Sequence, residues 1–311
     1  MRSIPTITKN LLIINILAWL ASLVLYRYRI DLNDILGLHF FMASDFHFYQ
    51  LFTYMFLHAN FDSSGNIVFM HIFFNMFALW MFGCVVERVW GPKKFLFYYI
   101  FCGVGAGVIQ EISQFVNYYL EGFAAYETVM VSNGLKISMD AYLNSWNTVG
   151  ASGAIYAILL AFGMIFPEER IFIFPLPIPI KAKWFVIFYA AVELYSAMGT
   201  SGDNVAHFAH LGGMLFGFLL IRYWQKHPGR EGVYGRNNGQ QFFDKLRNNW
   251  ERRSNKKSND TTTHNPDWDY NARQKATEEE IDIILDKIRK NGYASLTKEE
   301  KEKLFNSSNK R

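Results

Sequence analysis

The sequence predicts an all-α polytopic membrane protein, a bundle of six transmembrane helices followed by a small cytoplasmic helical tail. Three observations predict it. Apolar runs of about 20 residues recur as far as Trp224. Strongly polar residues interrupt several of those runs at one common depth. Beyond Trp224 the chain changes character and is crowded with Lys, Arg, Glu, Asp, Asn and Ser. Although 51% of the 311 residues are hydrophobic and 17% aromatic, the mean hydropathy is only +0.03. That average describes neither half.

The first apolar run, 10–26, follows Arg2 and Lys9. A basic start and short length resemble a secretory signal, but no small-x-small cleavage site follows, so the run reads as a retained first span. Five further runs, 66–86, 94–117, 149–166, 183–200 and 205–224, roughly meet the bilayer requirement. The loops after the second and fourth runs carry Arg88, Lys93 and Lys94, then Arg170, Lys181 and Lys183, while the third-to-fourth loop holds only Lys136. This bias places both termini on the cytoplasmic side; Arg27 and Arg29 just past the first helix weaken the count without reversing it.

Two loops are more than connectors. The roughly 40 residues between the first and second helices mix aromatic and polar groups, and are long enough for structure of their own at the outer interface. The stretch IFIFPLPIPIKAK, 171–183, is Pro-interrupted and apolar, as expected of an extended segment at the inner interface. Residues 1–224 thus form the membrane domain and 225–273 a polar linker without apolar periodicity. Residues 274–311 read as a helical hairpin, with Thr277 and Thr297 as caps and an apolar stripe of Ile281, Ile284, Leu285 and Ile288.

A net charge of +4 is spread over short loops and the tail rather than gathered with aromatics, which argues against nucleic-acid binding. The two cysteines, Cys84 and Cys102, fall inside apolar runs and supply neither a disulfide framework nor a thiolate metal site.

The polar residues that interrupt the spans carry the chemistry. His71 and Asn75 lie near the start of the second helix, Ser152 at the start of the fourth, and His207 and His210 at the start of the sixth. All three helices run from outside to inside on the charge-bias topology, so the five residues share the outer half of the membrane. From Ser152 to Phe166 is roughly 22 Å of helix, shorter than a hydrocarbon core of about 30 Å. The serine therefore sits below the surface and needs a water-filled cavity. Gly150 and Gly153 flank it and permit close approach, and a helix N-terminus offers free amides to an oxyanion.

Any one of these residues alone reads as ordinary packing: glycines four apart, such as Gly213 and Gly217, are common contact positions, and a lone serine bonds back to its own helix. The constellation points to a nucleophile and a base. His210 is the better base, yet His207 shares its helix face and the reverse assignment stays open. No acidic residue of the outer half accompanies them; Glu193 lies in the fifth helix with nothing in the sequence to tie it to a histidine. A Ser–His dyad without a third member is expected.

At these residues the sequence closely resembles the rhomboid intramembrane serine proteases, over most of the region from Tyr49 to Phe218. The family's G-x-S-G is matched by Gly150, Ala151, Ser152 and Gly153, which implies Ser152 as nucleophile. Its A-H-x-x-G-x-x-x-G is matched by Ala209, His210, Gly213 and Gly217, which selects His210 as base. Its H-x-x-x-N is matched by His71 and Asn75, implying oxyanion contacts together with the Ser152 amide, and Tyr156 resembles the aromatic that stacks on the imidazole. One departure stands: Tyr49 and Gln50 occupy the place of a Trp-Arg pair in the first outer loop, which bears on loop anchoring rather than on catalysis.

The resemblance implies a serine endopeptidase that needs no metal or other cofactor. Its substrates would be transmembrane segments with small, helix-weakening residues near the outer leaflet; the six-helix layout with no extra span and no targeting peptide favours a bacterial plasma membrane as the setting. The physics agrees, since a helix in lipid must unwind before its carbonyl is attacked. A transporter or channel lined by His71, Asn75, His207 and His210 is the alternative, but it predicts internal repeats that the sequence lacks. A histidine metal or haem site would leave Ser152 unexplained.

Overall fold

The computed structural model describes residues 3–62, 64–131, 134–172, 179–199 and 206–227, together with Lys287 and Thr297. The expected linker beyond 227 and the tail hairpin otherwise lie outside the described residues.

Helices occupy each of the six apolar runs. Helix α1 (Thr6–Tyr26) is followed in the first loop by the short α2 (Leu32–Leu36) and α3 (Gln50–Thr53). Helix α4 (Phe69–Ala78) continues through a π-helical segment, Leu79–Gly83, into α5 (Cys84–Trp90). Gly91, at φ 80°, ends that helix, and Pro92 opens the 29-residue α6 (Pro92–Leu120). A Gly stop followed by Pro at the first helical position is the expected punctuation between helices. A surface helix α7 (Met139–Asn144) precedes α8 (Ser152–Ile165), α9 (Ala182–Met198) and α10 (His207–Lys226). Among the described residues, α1, the continuous Phe69–Trp90 helix and α6 are long and apolar enough to cross a membrane.

Helix α8 is the centre of the bundle. Ala154, Ile155, Ala157, Ile158, Ala161 and Phe162 bury it on all sides, which a helix apolar all round requires. Its main neighbours are α6 and α10, which also pack on each other. Phe74, Phe77, Leu194, Tyr195 and Leu219 point outward and stay exposed, an apolar girdle suited to lipid.

The first loop is built as a plug. Strand β1 (Leu38–His39) pairs antiparallel with β4 (Asn147–Thr148), immediately before the serine turn, in the register Leu38↔Thr148 and His39↔Asn147. Gln50, at the place where sequence left the anchoring open, is fully buried and ties the loop together. Its Oε1 accepts from the His47 amide at 3.0 Å and its Nε2 donates to the Asp45 carbonyl at 2.9 Å. A neutral amide holds the loop by saturating its own donors and acceptors. Two features were not legible as elements: the hairpin of β2 (Thr128–Met130) with β3 (Lys136–Ser138), and α7 beside it. The ends of the Pro-interrupted stretch pair antiparallel, β5 (Arg170–Phe172) against β6 (Pro179–Lys181), while residues 173–178 lie outside the described residues.

Charged groups inside the bundle are paired between elements. Pro5 gives α1 no side-chain cap, and Glu87 of α5 supplies one from across the fold. It accepts from the Ile7 amide at 2.9 Å, and from the Thr8 amide and hydroxyl at 2.7 Å each. Glu111, inside α6, accepts from the Phe41 amide at 2.7 Å and so holds the loop to the bundle.

Two outcomes follow. Glu87→Ala leaves the two buried Thr8 donors and the half-buried Ile7 amide without an acceptor and lowers stability by about 2–4 kcal/mol, read as a fall in melting temperature in detergent. The second concerns His58, buried in the first loop, where desolvation holds its imidazole down to about 3 from an ordinary 6.5. The folded state then resists a proton that the unfolded chain accepts, so stability drains away as pH falls from about 6.5 towards 3, by at most about 1.4 kcal/mol per pH unit. Melting curves of wild type and His58→Leu across that range should diverge steadily as acid is added, with the variant falling less.

Candidate active site

Ser152 is the first residue of α8, with Ala151 as its cap. Helix geometry leaves the amides of this first turn without intrahelical partners, so the hydroxyl and free N–H groups stand together. The turn that presents it depends on Gly150, whose φ of 143° is a backbone region that side chains disfavour. A Cβ there would also meet the Ser152 hydroxyl at 3.4 Å and the His71 ring at 3.6 Å. The Gly150 amide donates to the Tyr54 carbonyl at 3.0 Å, so the first loop braces the turn from outside.

His210, one turn into α10, is buried, and its Nε2 lies 2.7 Å from Ser152 Oγ. The glycines make this possible. A Cβ on Gly213 would overlap the Gly153 carbonyl, and one on Gly217 would strike the Tyr98 hydroxyl. The two helices touch backbone to backbone at Gly153, the residue after the serine, and Gly213, about one turn below the histidine. Tyr156 stacks on His210 with ring centroids 4.3 Å apart and planes 7° apart. The His71 ring lies against Gly150. Asn75 is buried one turn further on, and its Nδ2 donates to the His71 carbonyl at 2.8 Å. One of its two N–H groups is therefore spent on its own helix.

His207 faces Glu193: its Nδ1 is hydrogen-bonded to Glu193 Oε2 at 2.6 Å. Glu193 is the residue that the sequence had no means to place. It comes from α9 and is buried, and the same Oε2 lies 2.9 Å from His210 Nδ1, within ion-pair distance though short of in-line hydrogen-bond geometry. Tyr156 donates its hydroxyl to Glu193 Oε1. The expectation that no carboxylate is tied to the histidine is thus corrected. A glutamate on a separate helix carries no spacing that relates it to His210, and only the packing of α9 against α8 and α10 brings them together.

Comparison with known proteins agrees with this arrangement. A family model described as the Rhomboid domain matches residues 45–226, more than half of the chain. The chain belongs to the rhomboid family. It is 32% identical over 160 residues to the presenilin-associated rhomboid-like protein, mitochondrial, of Rattus norvegicus, covering 49% of this chain and 34% of that protein. It is 29% identical over 160 residues to Rhomboid protein 1, mitochondrial, of Saccharomyces cerevisiae, covering 51% and 39%. It is also 28% identical over 156 residues to Rhomboid protease AarA of Providencia stuartii, covering 48% and 49%. The chain therefore spans less than half the length of these relatives. Residues 265–310 match a separate family of unknown function, DUF6576.

Glu193, His207 and His210 also make up the cluster of this rhomboid best suited to a metal among the described residues, with donor atoms within 4.8 Å of one another. Tetrahedral ligands about 2.0–2.1 Å from zinc stand about 3.3 Å apart. The 2.6 and 2.9 Å separations seen here are those of hydrogen-bonded and ion-paired groups instead.

The helix contact gives a direct test. Gly213→Ala should cost about 1–3 kcal/mol through overpacking, measured as a lower melting temperature. Gly199→Ala, where a Cβ meets nothing closer than 3.5 Å, should leave it unchanged.

Proposed function

We propose that this rhomboid is an intramembrane serine endopeptidase that cleaves transmembrane segments of other membrane proteins near the outer leaflet, with Ser152 as nucleophile and His210 as base. The observation that carries the reading is the 2.7 Å contact between Ser152 Oγ and His210 Nε2 at a helix N-terminus. His210 Nε2 takes the hydroxyl proton as Oγ adds to the scissile carbonyl, and returns it to the departing amine. Water then hydrolyses the acyl-enzyme by the same exchange. The Ser152 amide, His71 and the second N–H of Asn75 are the donors for the oxyanion. Gly150, Gly153, Gly213 and Gly217 support the site by allowing the backbone and helices to close on it, and Tyr156 holds the imidazole's rotamer.

The six helices form one membrane domain. Loop charges support both termini on the cytoplasmic side of a bacterial plasma membrane, which puts the mouth of the site in the outer leaflet. Substrates that unwind readily there are favoured, because an intact helix in lipid keeps its carbonyls hydrogen-bonded.

Purified protein in detergent should cleave a single-span model substrate and react with a serine-directed fluorophosphonate at Ser152. Ser152→Ala and His210→Ala should each reduce kcat by about 10⁴-fold or more, while His47→Ala in the first loop keeps it. A wild-type protein inert towards several substrates and unlabelled by the fluorophosphonate overturns the protease reading.

A further inference from the structure

We propose that Glu193 is a positioning residue for His210, turning the expected dyad into a carboxylate–imidazole–serine relay. The inference rests on the protease reading and deepens it.

A carboxylate within an apolar helix is costly unless it is paired. Glu193 is buried and has three partners, each converging on the site: His207 Nδ1 at 2.6 Å, His210 Nδ1 at 2.9 Å, and the Tyr156 hydroxyl. A neutral imidazole carries one N–H. For His210 Nε2 to accept the Ser152 proton, that N–H must be on Nδ1, and the group facing Nδ1 is an ionised carboxylate that can only accept. Glu193 therefore selects the tautomer in which His210 is a base.

The contacts close on themselves. The Tyr156 ring stacks on His210 while its hydroxyl holds Oε1, so one side chain orients both the imidazole and the carboxylate that faces it. His207, on the same face of α10, fixes Oε2 from the other side. The groups around Glu193 are Tyr156 from α8, His207 and His210 from α10, with Tyr189 of α9 beside Tyr156. When the Ser152 O–H breaks and the proton bonds to Nε2, both ring nitrogens carry hydrogen. Glu193 stays ionised and opposes the new positive charge. The 2.9 Å approach lacks full alignment in the ligand-free protein, and such contacts tighten once substrate is bound.

The test is made on the full chain in detergent. Glu193→Gln keeps the size and an acceptor for Tyr156, but offers an amide donor to His210 Nδ1 and so favours the opposite tautomer. We expect kcat to fall about 10²–10³-fold with KM within about twofold, and partial recovery in Glu193→Asp. Nitrogen NMR of the unaltered protein labelled at histidine should find neutral His210 protonated at Nδ1, with that proton strongly downfield; this readout needs no variant to fold. Wild-type kcat in Glu193→Gln, or a neutral His210 protonated at Nε2, overturns the role of Glu193 while leaving Ser152 and His210 in place. Wild type that neither cleaves nor labels removes the protease reading itself and the positioning role with it.

Discussion

The backbone contact between α8 and α10 is the constraint on which the rest of the structure depends. At Gly213 a methyl group would overlap the Gly153 carbonyl across the interface, and one on Gly153 would be crowded by Ala106 of α6 and the Ala209 carbonyl of α10. In lipid there is no hydrophobic drive between helices, so close van der Waals fit and interhelical hydrogen bonds must hold them. Small residues along α8 supply the fit, and the Tyr98 hydroxyl, in space left by Gly217, donates to the Ala157 carbonyl at 2.8 Å. With the helices locked at that depth, the first residue of α8 and the fourth of α10 meet at hydrogen-bond distance. Larger residues at either glycine would push these two side chains apart.

Several buried polar groups follow one rule: Glu87, Glu111, Gln50 and Glu193 each satisfy a partner on another element, because no solvent is present to do so. Glu87 caps α1, Glu111 holds the loop at Phe41, Gln50 closes that loop, and Glu193 faces the two histidines. These bonds have direction where apolar packing has none. They fix the register of loop and helix that the site requires, and the first loop in turn braces the Gly150 turn through the Tyr54 carbonyl.

Much of this was legible in the sequence because a membrane imposes a simple grammar. Apolar runs separated by polar loops located the helices to within a few residues. Ser152, His210, His71, Asn75 and Tyr156 stood out since strongly polar or aromatic residues in motif spacing are conspicuous against an apolar background. The hairpin of β2 and β3 and the helix α7 were not legible, as their stabilising pairs are short and lie in a loop of mixed composition.

What the sequence by itself determined was the set of helices and the motifs that hold Ser152 and His210, both written in local pattern. What only the tertiary structure decided was the company that pair keeps. Glu193 lies 17 residues before His210, on a different helix, and no periodicity within one helix relates them. Gln50 likewise shows no sign in its neighbours that it will close a buried loop. Both assignments arise from how rigid elements pack across one another, a relation between distant parts of the chain that local sequence does not encode.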